Sequence, residues 1–309
     1  MVFLMSDLDL PLRDRTYREP PGPHVVLVRG RDLAGGLEHL ASRADCRALA
    51  VIGAPDPAPD LAMVAGRRVL VVDGDRRRMR SFVEACLEAE AEVEWLQADN
   101  PPVDRLGAWA LPVGAVILAA GSASRMGANK LLLDAGGMPL VRHVLEAASD
   151  GGCHQLTVVY ADDEVRRAVG DSARTIFNAR ADTGMASSLK VGLEAQREEI
   201  AGVMVMLGDQ PLVGARTVSM LLRAWRREGA RPAVAAAYGD DRRQWRPPVV
   251  VDRSLWPELM ELEGDAGARD VFRQHPELLD TVLASGRPDD VDTPEDYAKI
   301  VHLFPRQRT

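Results

Sequence analysis

Residues 116–130 read Val-Ile-Leu-Ala-Ala-Gly-Ser-Ala-Ser-Arg-Met-Gly-Ala-Asn-Lys. Val116, Ile117 and Leu118, with Val113 upstream, make a short apolar run that stops at small residues. That is the pattern of a buried strand. Ala119, Ala120 and Gly121 carry almost no side chain, so backbone amides there can approach a ligand closely, and Gly121 can take a positive φ. Residues 122–128 form a loop of mostly small residues with one cation, Arg125, and a second cation, Lys130, closes it. A strand, a small-residue loop and two cations suit phosphate binding at the carboxyl end of a strand. The spacing is neither that of a P-loop nor that of the three-glycine dinucleotide fingerprint.

Working outward, a chain of 309 residues suits about two domains. Upstream, residues 1–23 are polar and end in Pro20, Pro21 and Pro23, which predicts an extended arm. Residues 24–110 then alternate apolar runs (24–28, 48–52, 68–72, 93–96) with helical patterns (33–43, 78–91), the signature of a small α/β domain. The run 69–75, Val-Leu-Val-Val-Asp-Gly-Asp, resembles the start of a phospho-receiver domain. The matching switch lysine is missing, since no lysine precedes Lys130. The other reading is a strand ending in a polar turn. A cluster of Arg76, Arg77, Arg78 and Arg80 suits a solvated helix start or the docking of an anionic group. Asn100-Pro101-Pro102 to Leu111-Pro112 reads as a linker, so residues 111–309 form the second domain.

Downstream, strands are expected over 155–160, 174–177, 202–207, 232–237 and 247–251, with helices near 139–148, 162–169, 184 onward, 214–228 and 255–262. The strand 202–207 ends in Gly208-Asp209-Gln210-Pro211. A carboxylate at such a tip faces the ligand crevice and suits Mg²⁺, which takes one or two protein carboxylates and otherwise water and phosphate oxygens. Alternatively Asp209 caps the next helix. Asn178-Ala-Arg-Ala-Asp-Thr-Gly184-Met185-Ala-Ser187-Ser188-Leu-Lys190 opens a helix whose N-terminus offers amides to an anion. Asp265, in Gly-Asp-Ala-Gly-Ala-Arg (264–269), can cap a following helix, and Arg269 can bind an anion or pair with Asp265. Thr293-Pro294-Glu295 is a helix opening, with Asp292 just before it.

Together these stretches resemble the MobA/MocA-like nucleotidyltransferases, which build molybdenum cofactor dinucleotides. The likeness rests on Leu-Ala-Ala-Gly (118–121) with Arg125-Met-Gly and Lys130, on the Gly184-Met185 segment, on 264–269, and on Asp290-Val-Asp-Thr-Pro-Glu-Asp (290–296). It covers residues from about 113 to 303. Two departures stand out. Ala179 replaces a usual proline, and Trp245-Arg246-Pro247-Pro248 replaces a Gly-His-Pro segment that borders the acceptor pocket.

The resemblance implies a Rossmann-like three-layer α/β/α fold with a mostly parallel sheet, preceded here by the smaller α/β domain. It implies Mg²⁺-dependent transfer of CMP from CTP, with GTP as the alternative nucleotide, to molybdopterin, with release of pyrophosphate. Leu118, Ala119, Ala120, Gly121, Arg125, Lys130, Asn178 and Asp209 are then expected at the nucleotide. Arg125, Lys130 and Asp209 carry the catalysis, and Asp209 and Asp292 hold the metal. Gly184, Met185, Ser187, Ser188, Lys190 and Arg269 are expected at the acceptor. Another phosphorylated acceptor, such as a sugar phosphate, or an NAD(P)H-dependent oxidoreductase on the same fold are the alternatives, and a molybdenum hydroxylase is the expected acceptor protein.

Composition sets the outer bounds. The net charge of −8 excludes general affinity for nucleic acid or anionic membrane, so polyanions must be met by local cations. Of 38 basic residues only three are lysines, Lys130, Lys190 and Lys299, and the first two fall in the expected site. Three scattered cysteines, Cys46, Cys86 and Cys153, suit unpaired thiols in a reducing compartment, and the expected location is the cytoplasm. The N-terminus lacks the pattern of a signal peptide, and no apolar run is long enough to span a bilayer.

Overall fold

The computed structural model describes residues 2–5, 24–29, 33–34, 37, 46–55, 58, 60–65, 68–73, 75–96, 111–121, 129–198, 200–226, 230–239, 245–284 and 288–304. The chain divides into two compact units, Met1–Pro112 with Arg226–Gly229, and Val113–Trp225 with Ala230–Thr309.

In the first unit, β1 (Val2–Met5), β2 (His24–Arg29), β3 (Cys46–Ile52), β4 (Arg68–Val72) and β5 (Glu92–Leu96) pair side by side in chain order, all parallel. Val2–Met5, within the stretch read as an extended arm, thus joins the sheet as its edge strand. Helix α1 (Arg76–Glu88) presents Met79, Phe82, Val83 and Cys86 at helical spacing and buries them against Leu49, Val51, Val69 and Val71. Asp75 caps α1, accepting from the amides of Arg77 and Arg78. Asp73, at the tip of β4, is buried and accepts from the amides of Ala54 and Asp75, both at 2.7 Å. Those bonds make it the anchor of a polar turn, the second of the two readings of that strand end. Most of the helix expected over 33–43 lies outside the described residues.

The second unit is built on a seven-stranded sheet. Its strands are β6 (Val113–Ala119), β9 (Gln155–Tyr160), β10 (Arg174–Phe177), β11 (Gly202–Leu207), β12 (Ala233–Ala237), β13 (Trp245–Asp252) and β14 (Leu279–Leu283), in the order β10-β9-β6-β11-β13-β12-β14. A small antiparallel pair, β7 (Asp134–Ala135) and β8 (Met138–Pro139), stands apart. Only β13 runs against the rest of the seven. Six carboxyl ends and the start of β13 therefore share one edge. The chain leaves β6 for β9 on one side and later returns to β11 on the other. That reversal opens a crevice at the carboxyl ends, where open α/β sheets bind ligands.

The helices of this unit are α2 (Leu140–Asp150), α3 (Asp163–Val169), α4 (Met185–Glu194), α5 (Ala215–Arg226), α6 (Trp256–Met260), α7 (Ala268–Gln274) and α8 (Pro294–Ile300). The central strands read as unbroken apolar runs because both faces are covered. Val116, Val203 and Val205 meet Leu189 and Leu193 of α4, along with Trp256 and Leu259 of α6. Each such side chain removed from water contributes roughly 1.5–3 kcal/mol. Strand β14 escapes the sequence pattern, since Leu279-Asp-Thr-Val-Leu mixes polar residues into an edge position beside β12. Helix α7 is capped at Gly267 by the Asp270 carboxylate reaching back to the Gly267 amide, so Asp265 is not its cap. Among the described residues no helix is long and apolar enough to cross a membrane.

Candidate active site

A cavity of about 1150 Å³ opens at the crevice between the ends of β6 and β11. Leu118, Ala119, Ala120 and Gly121 form one wall, with Lys130, Asp209, Gly184, Met185 and Ser188 among the other lining residues. Gly121 is exposed and lies outside the left-handed region, and a Cβ placed on it would meet nothing within 4 Å among the described residues. The positive φ open to a glycine is not used here. The fold itself does not demand a glycine at 121, which leaves its open space for a ligand. Arg125 and the rest of 122–128 lie outside the described residues.

Lys130 is held from both sides. Asn129 caps the short turn Lys130–Leu132, its Oδ1 accepting from the Leu131 amide at 3.1 Å, and Leu131 is buried. Asn129 Nδ2 donates to Asp162 Oδ2 at 2.8 Å, tying the turn to the start of α3. That hydrogen bond, with the Glu164 amide, holds the Asp162 pKa below its ordinary value. From this fixed backbone Lys130 Nζ donates to Asp209 Oδ2 at 2.7 Å and to Asp292 Oδ1 at 2.6 Å. Burial alone presses the lysine pKa down, but Asp209 and Asp292 outweigh it, so the net shift is upward and the ammonium is retained.

Asp292 reaches the crevice because the backbone carbonyl of Asp209 accepts from the Val291 amide at 3.0 Å. The neighbouring Asp290 accepts from Gln210 Nε2 at 2.7 Å. Burial, and then the charges of Asp209 and Asp292, raise the Asp290 pKa against the opposing pull of Gln210 and Arg246. Asp290 and Asp292 also line a second cavity of about 470 Å³ with Tyr238, Arg246, Asp296 and Lys299. The Lys130–Asp292 pair thus stands between two hollows on the carboxyl edge.

The two carboxylates fit a divalent cation. Both grip one ammonium, so their oxygens are no further apart than two hydrogen bonds allow. Among the described residues Asp209 Oδ1 is buried with no hydrogen-bond partner, an orphaned acceptor that a bound cation would satisfy. Among the described residues no group of three or more His, Cys, Asp or Glu is placed to hold a metal. Two carboxylates, completed by water and phosphate oxygens, are a Mg²⁺-type set.

The remaining expected site residues divide. Asn178 is buried, and its Nδ2 donates to Ser187 Oγ and Ser188 Oγ, each at 2.9 Å, while Oδ1 accepts from the Arg180 amide. Its bonds are spent within the protein, pinning the end of β10 to the first turn of α4. Ser187 donates back to the Arg180 and Gly184 carbonyls and does not line the cavity. The Ala186 amide, expected to be open to an anion, donates to the Gly264 carbonyl at 3.0 Å. Lys190 and Arg269 line neither cavity, and no Arg269–Asp265 ion pair is present among the described residues. Asn129, Asp162 and Asp182, none of them expected at the site from the sequence, line the main cavity, as does Asp265, expected only as a cap or as a partner of Arg269. Asp162 comes two residues after the end of β9, the same place that Asp209 holds after β11.

The sequence profile of the MobA-like NTP transferase domain matches residues 115–278. Nicotine blue oxidoreductase of Paenarthrobacter nicotinovorans is 34% identical over 198 residues, 61% of this chain and 96% of that protein. The bifunctional protein GlmU of Heliobacterium modesticaldum is 34% identical over 131 residues, 41% of this chain but 28% of the relative, so the match spans under a third of that protein. Among solved structures, Rv0371C of Mycobacterium tuberculosis H37Rv in complex with manganese superposes with a TM-score of 0.53 at 26% identity, covering 62% of this chain and 98% of that one.

Proposed function

This chain belongs to the MobA-like NTP transferase family, and from that premise we propose that it transfers CMP from CTP to molybdopterin and releases pyrophosphate. The observation that carries the reading is Lys130 lodged between Asp209 and Asp292 at the reversal point of the sheet. In this reading an oxygen of the acceptor phosphate attacks the α-phosphorus, and the bond from that phosphorus to the bridging oxygen breaks. The leaving group takes the electron pair and departs as pyrophosphate. No covalent intermediate with the protein is required, and its work is positioning and charge stabilisation. Ala119, Ala120 and Gly121 leave room for the nucleotide against bare backbone, and the Lys130 ammonium neutralises phosphate oxygens. Arg125, outside the described residues, is the second cation that the resemblance assigns to the triphosphate. Asp209 and Asp292 would hold a divalent ion, whose chemistry is to offset triphosphate charge and polarise the attacked phosphorus. Leu118, Met185 and Ser188 shape the walls.

Two further readings have a specific observation behind them. A sugar phosphate as acceptor is the first, and the replaced segment at Trp245-Arg246-Pro247-Pro248, which borders the acceptor pocket in the family, bears on that choice. The name of the Paenarthrobacter relative, an oxidoreductase, favours the second, an NAD(P)H-dependent oxidoreductase on this fold. The test is a panel of CTP, GTP, ATP and UTP with Mg²⁺ or Mn²⁺, against molybdopterin and a set of sugar phosphates, read as pyrophosphate release. CTP with molybdopterin is the expected productive pair. Metal-independent NAD(P)H oxidation with no pyrophosphate under any pairing would overturn the transferase assignment. For residues 1–110 we propose a separate domain, and a molybdenum hydroxylase that accepts the product is the partner this reading implies. Co-purification of such an enzyme with the full chain, and its loss on deletion of 1–110, tests both.

A further inference from the structure

We propose that Lys130 occupies the position of the metal in the nucleotide-free protein, so that divalent cation and nucleotide enter the site as a coupled pair. The nucleotide half of the inference rests on the transferase reading; the lysine half does not. The Lys130 ammonium lies 2.7 Å from Asp209 Oδ2 and 2.6 Å from Asp292 Oδ1. A Mg²⁺-type ion needs oxygens at about 2.0–2.1 Å. An ion bridging these two carboxylates would sit within a few ångströms of the ammonium, where two cations repel strongly. The lysine must leave before the ion can bridge.

The surroundings allow that exchange. Only the side chain has to move, because the Lys130 backbone is fixed by the Asn129 cap and by buried Leu131. Lysine is a compact charge on a flexible four-carbon stem, whereas an arginine fork grips a carboxylate in a fixed plane. A chain that uses arginine for 35 of its 38 basic residues keeps a lysine here. Lys130 also lines the cavity that Gly121 leaves open, so phosphate oxygens arriving there can draw the ammonium off the carboxylates. The vacated pair, together with the unpartnered Asp209 Oδ1, then accepts the cation. The lysine thereby offsets part of the charge of Asp209 and Asp292 in the resting protein and holds the place between them, so that metal is admitted poorly until a polyphosphate is present.

The experiment titrates Mn²⁺ into the full chain and follows the free-ion electron paramagnetic resonance signal, with and without CTP, for wild type, Lys130→Met and Lys130→Arg. Wild type is expected to bind Mn²⁺ weakly alone, and CTP to tighten it within the ordinary linkage range of about 5–150-fold. Lys130→Met is expected to bind Mn²⁺ alone on the order of 10-fold more tightly than wild type and to lose most of the CTP effect. Lys130→Arg is expected to stay weak. Mn²⁺ should raise the melting temperature of Lys130→Met more than that of wild type, which also verifies that the variant is folded. Mn²⁺ binding to Lys130→Met no tighter than to wild type would overturn the inference. So would a wild-type affinity for Mn²⁺ unchanged by a nucleotide that demonstrably binds. If no nucleotide binds with Mn²⁺ at all, the transferase reading fails, while the comparison of the two proteins without nucleotide still decides the role of the lysine.

Discussion

Gly184→Ala tests whether the cavity wall is built as described. Gly184 has φ 112° and ψ 177°, a backbone region essentially confined to glycine, where another residue costs about 1–3 kcal/mol. A Cβ on Gly184 would lie 2.2 Å from both the carbon and the oxygen of the Gly264 carbonyl and 2.7 Å from the Asp265 amide nitrogen. These are backbone atoms, and the same carbonyl accepts the Ala186 amide at the start of α4, so it cannot retreat without breaking that bond. Overpacking of this kind adds about 1–3 kcal/mol. Together the two effects predict a loss of roughly 2–5 kcal/mol, which for a unit of this size lowers the melting temperature by about 5–15 °C. The assay is thermal unfolding followed by tryptophan emission, to which buried Trp225, Trp245 and Trp256 of this unit contribute. Gly121→Ala is the paired control. Among the described residues its Cβ meets nothing within 4 Å, so the melting temperature should hold to about 1 °C. Its methyl group nevertheless takes space on the cavity wall, and the stabilisation conferred by CTP with Mg²⁺ should fall. A Gly184→Ala variant melting within about 1 °C of wild type would refute the reasoning.

Three further outcomes are expected. Asp209→Asn removes a charge that both the ammonium and a metal require, and divalent-dependent pyrophosphate release should fall by on the order of 10²–10³; turnover at the wild-type rate would remove Asp209 from the site. Asn178→Ala strips Ser187 and Ser188 of a donor and the Arg180 amide of its acceptor, and should cost about 1–3 kcal/mol in chemical denaturation while raising KM more than it lowers kcat. Burial pushes the Cys86 thiol from about 9.0 up to about 12, so it should resist an aromatic disulfide reagent at pH 8 in the native protein and react once denatured. Because that pKa is raised on folding, the contribution of the protonated thiol to stability is complete below pH 9.0 and is lost as the pH climbs toward 12, a decline that Cys86→Ala should abolish.

Much of this was legible in the sequence wherever local rules and tertiary demands agree. The strands 113–119 and 202–207 are continuous apolar runs bounded by small residues, and 155–160 is apolar over its second half, which is the pattern of strands covered on both faces. Their tips fix the crevice, so Lys130 and Asp209 were found by position alone. The pairing order was not legible, because nothing in 245–252 marks it as the one reversed strand between β11 and β12. Strand β14 was missed because an edge strand need be apolar only in part. The resemblance places Asn178 at the nucleotide, and the free amides of a helix N-terminus after Gly184 invite an anion at the first turn of α4. Sequence spacing does not reveal that the 264–265 backbone folds onto that turn and takes up the Ala186 amide.

Charge ties the site together. Among the described residues the main cavity is lined by four carboxylates, Asp162, Asp182, Asp209 and Asp265, and by one ammonium, that of Lys130. A triphosphate entering such a hollow without further cations would meet net repulsion, and at the short distances of a partly buried crevice that repulsion is only partly screened. The carboxylates are nonetheless well placed for other work. Asp162 is fixed by Asn129 and by the amide of Glu164, and Asp265 stands beside the first turn of α4, so both present acceptors to the hydroxyl or amino groups of a ligand. Phosphates are then favoured only toward the Gly121 and Lys130 end, and only when a cation accompanies them to Asp209 and Asp292. On the proposed transferase reading, the same acidity that gives the whole chain its charge of −8 would make the crevice a filter that admits a nucleotide with its metal and disfavours the bare polyanion.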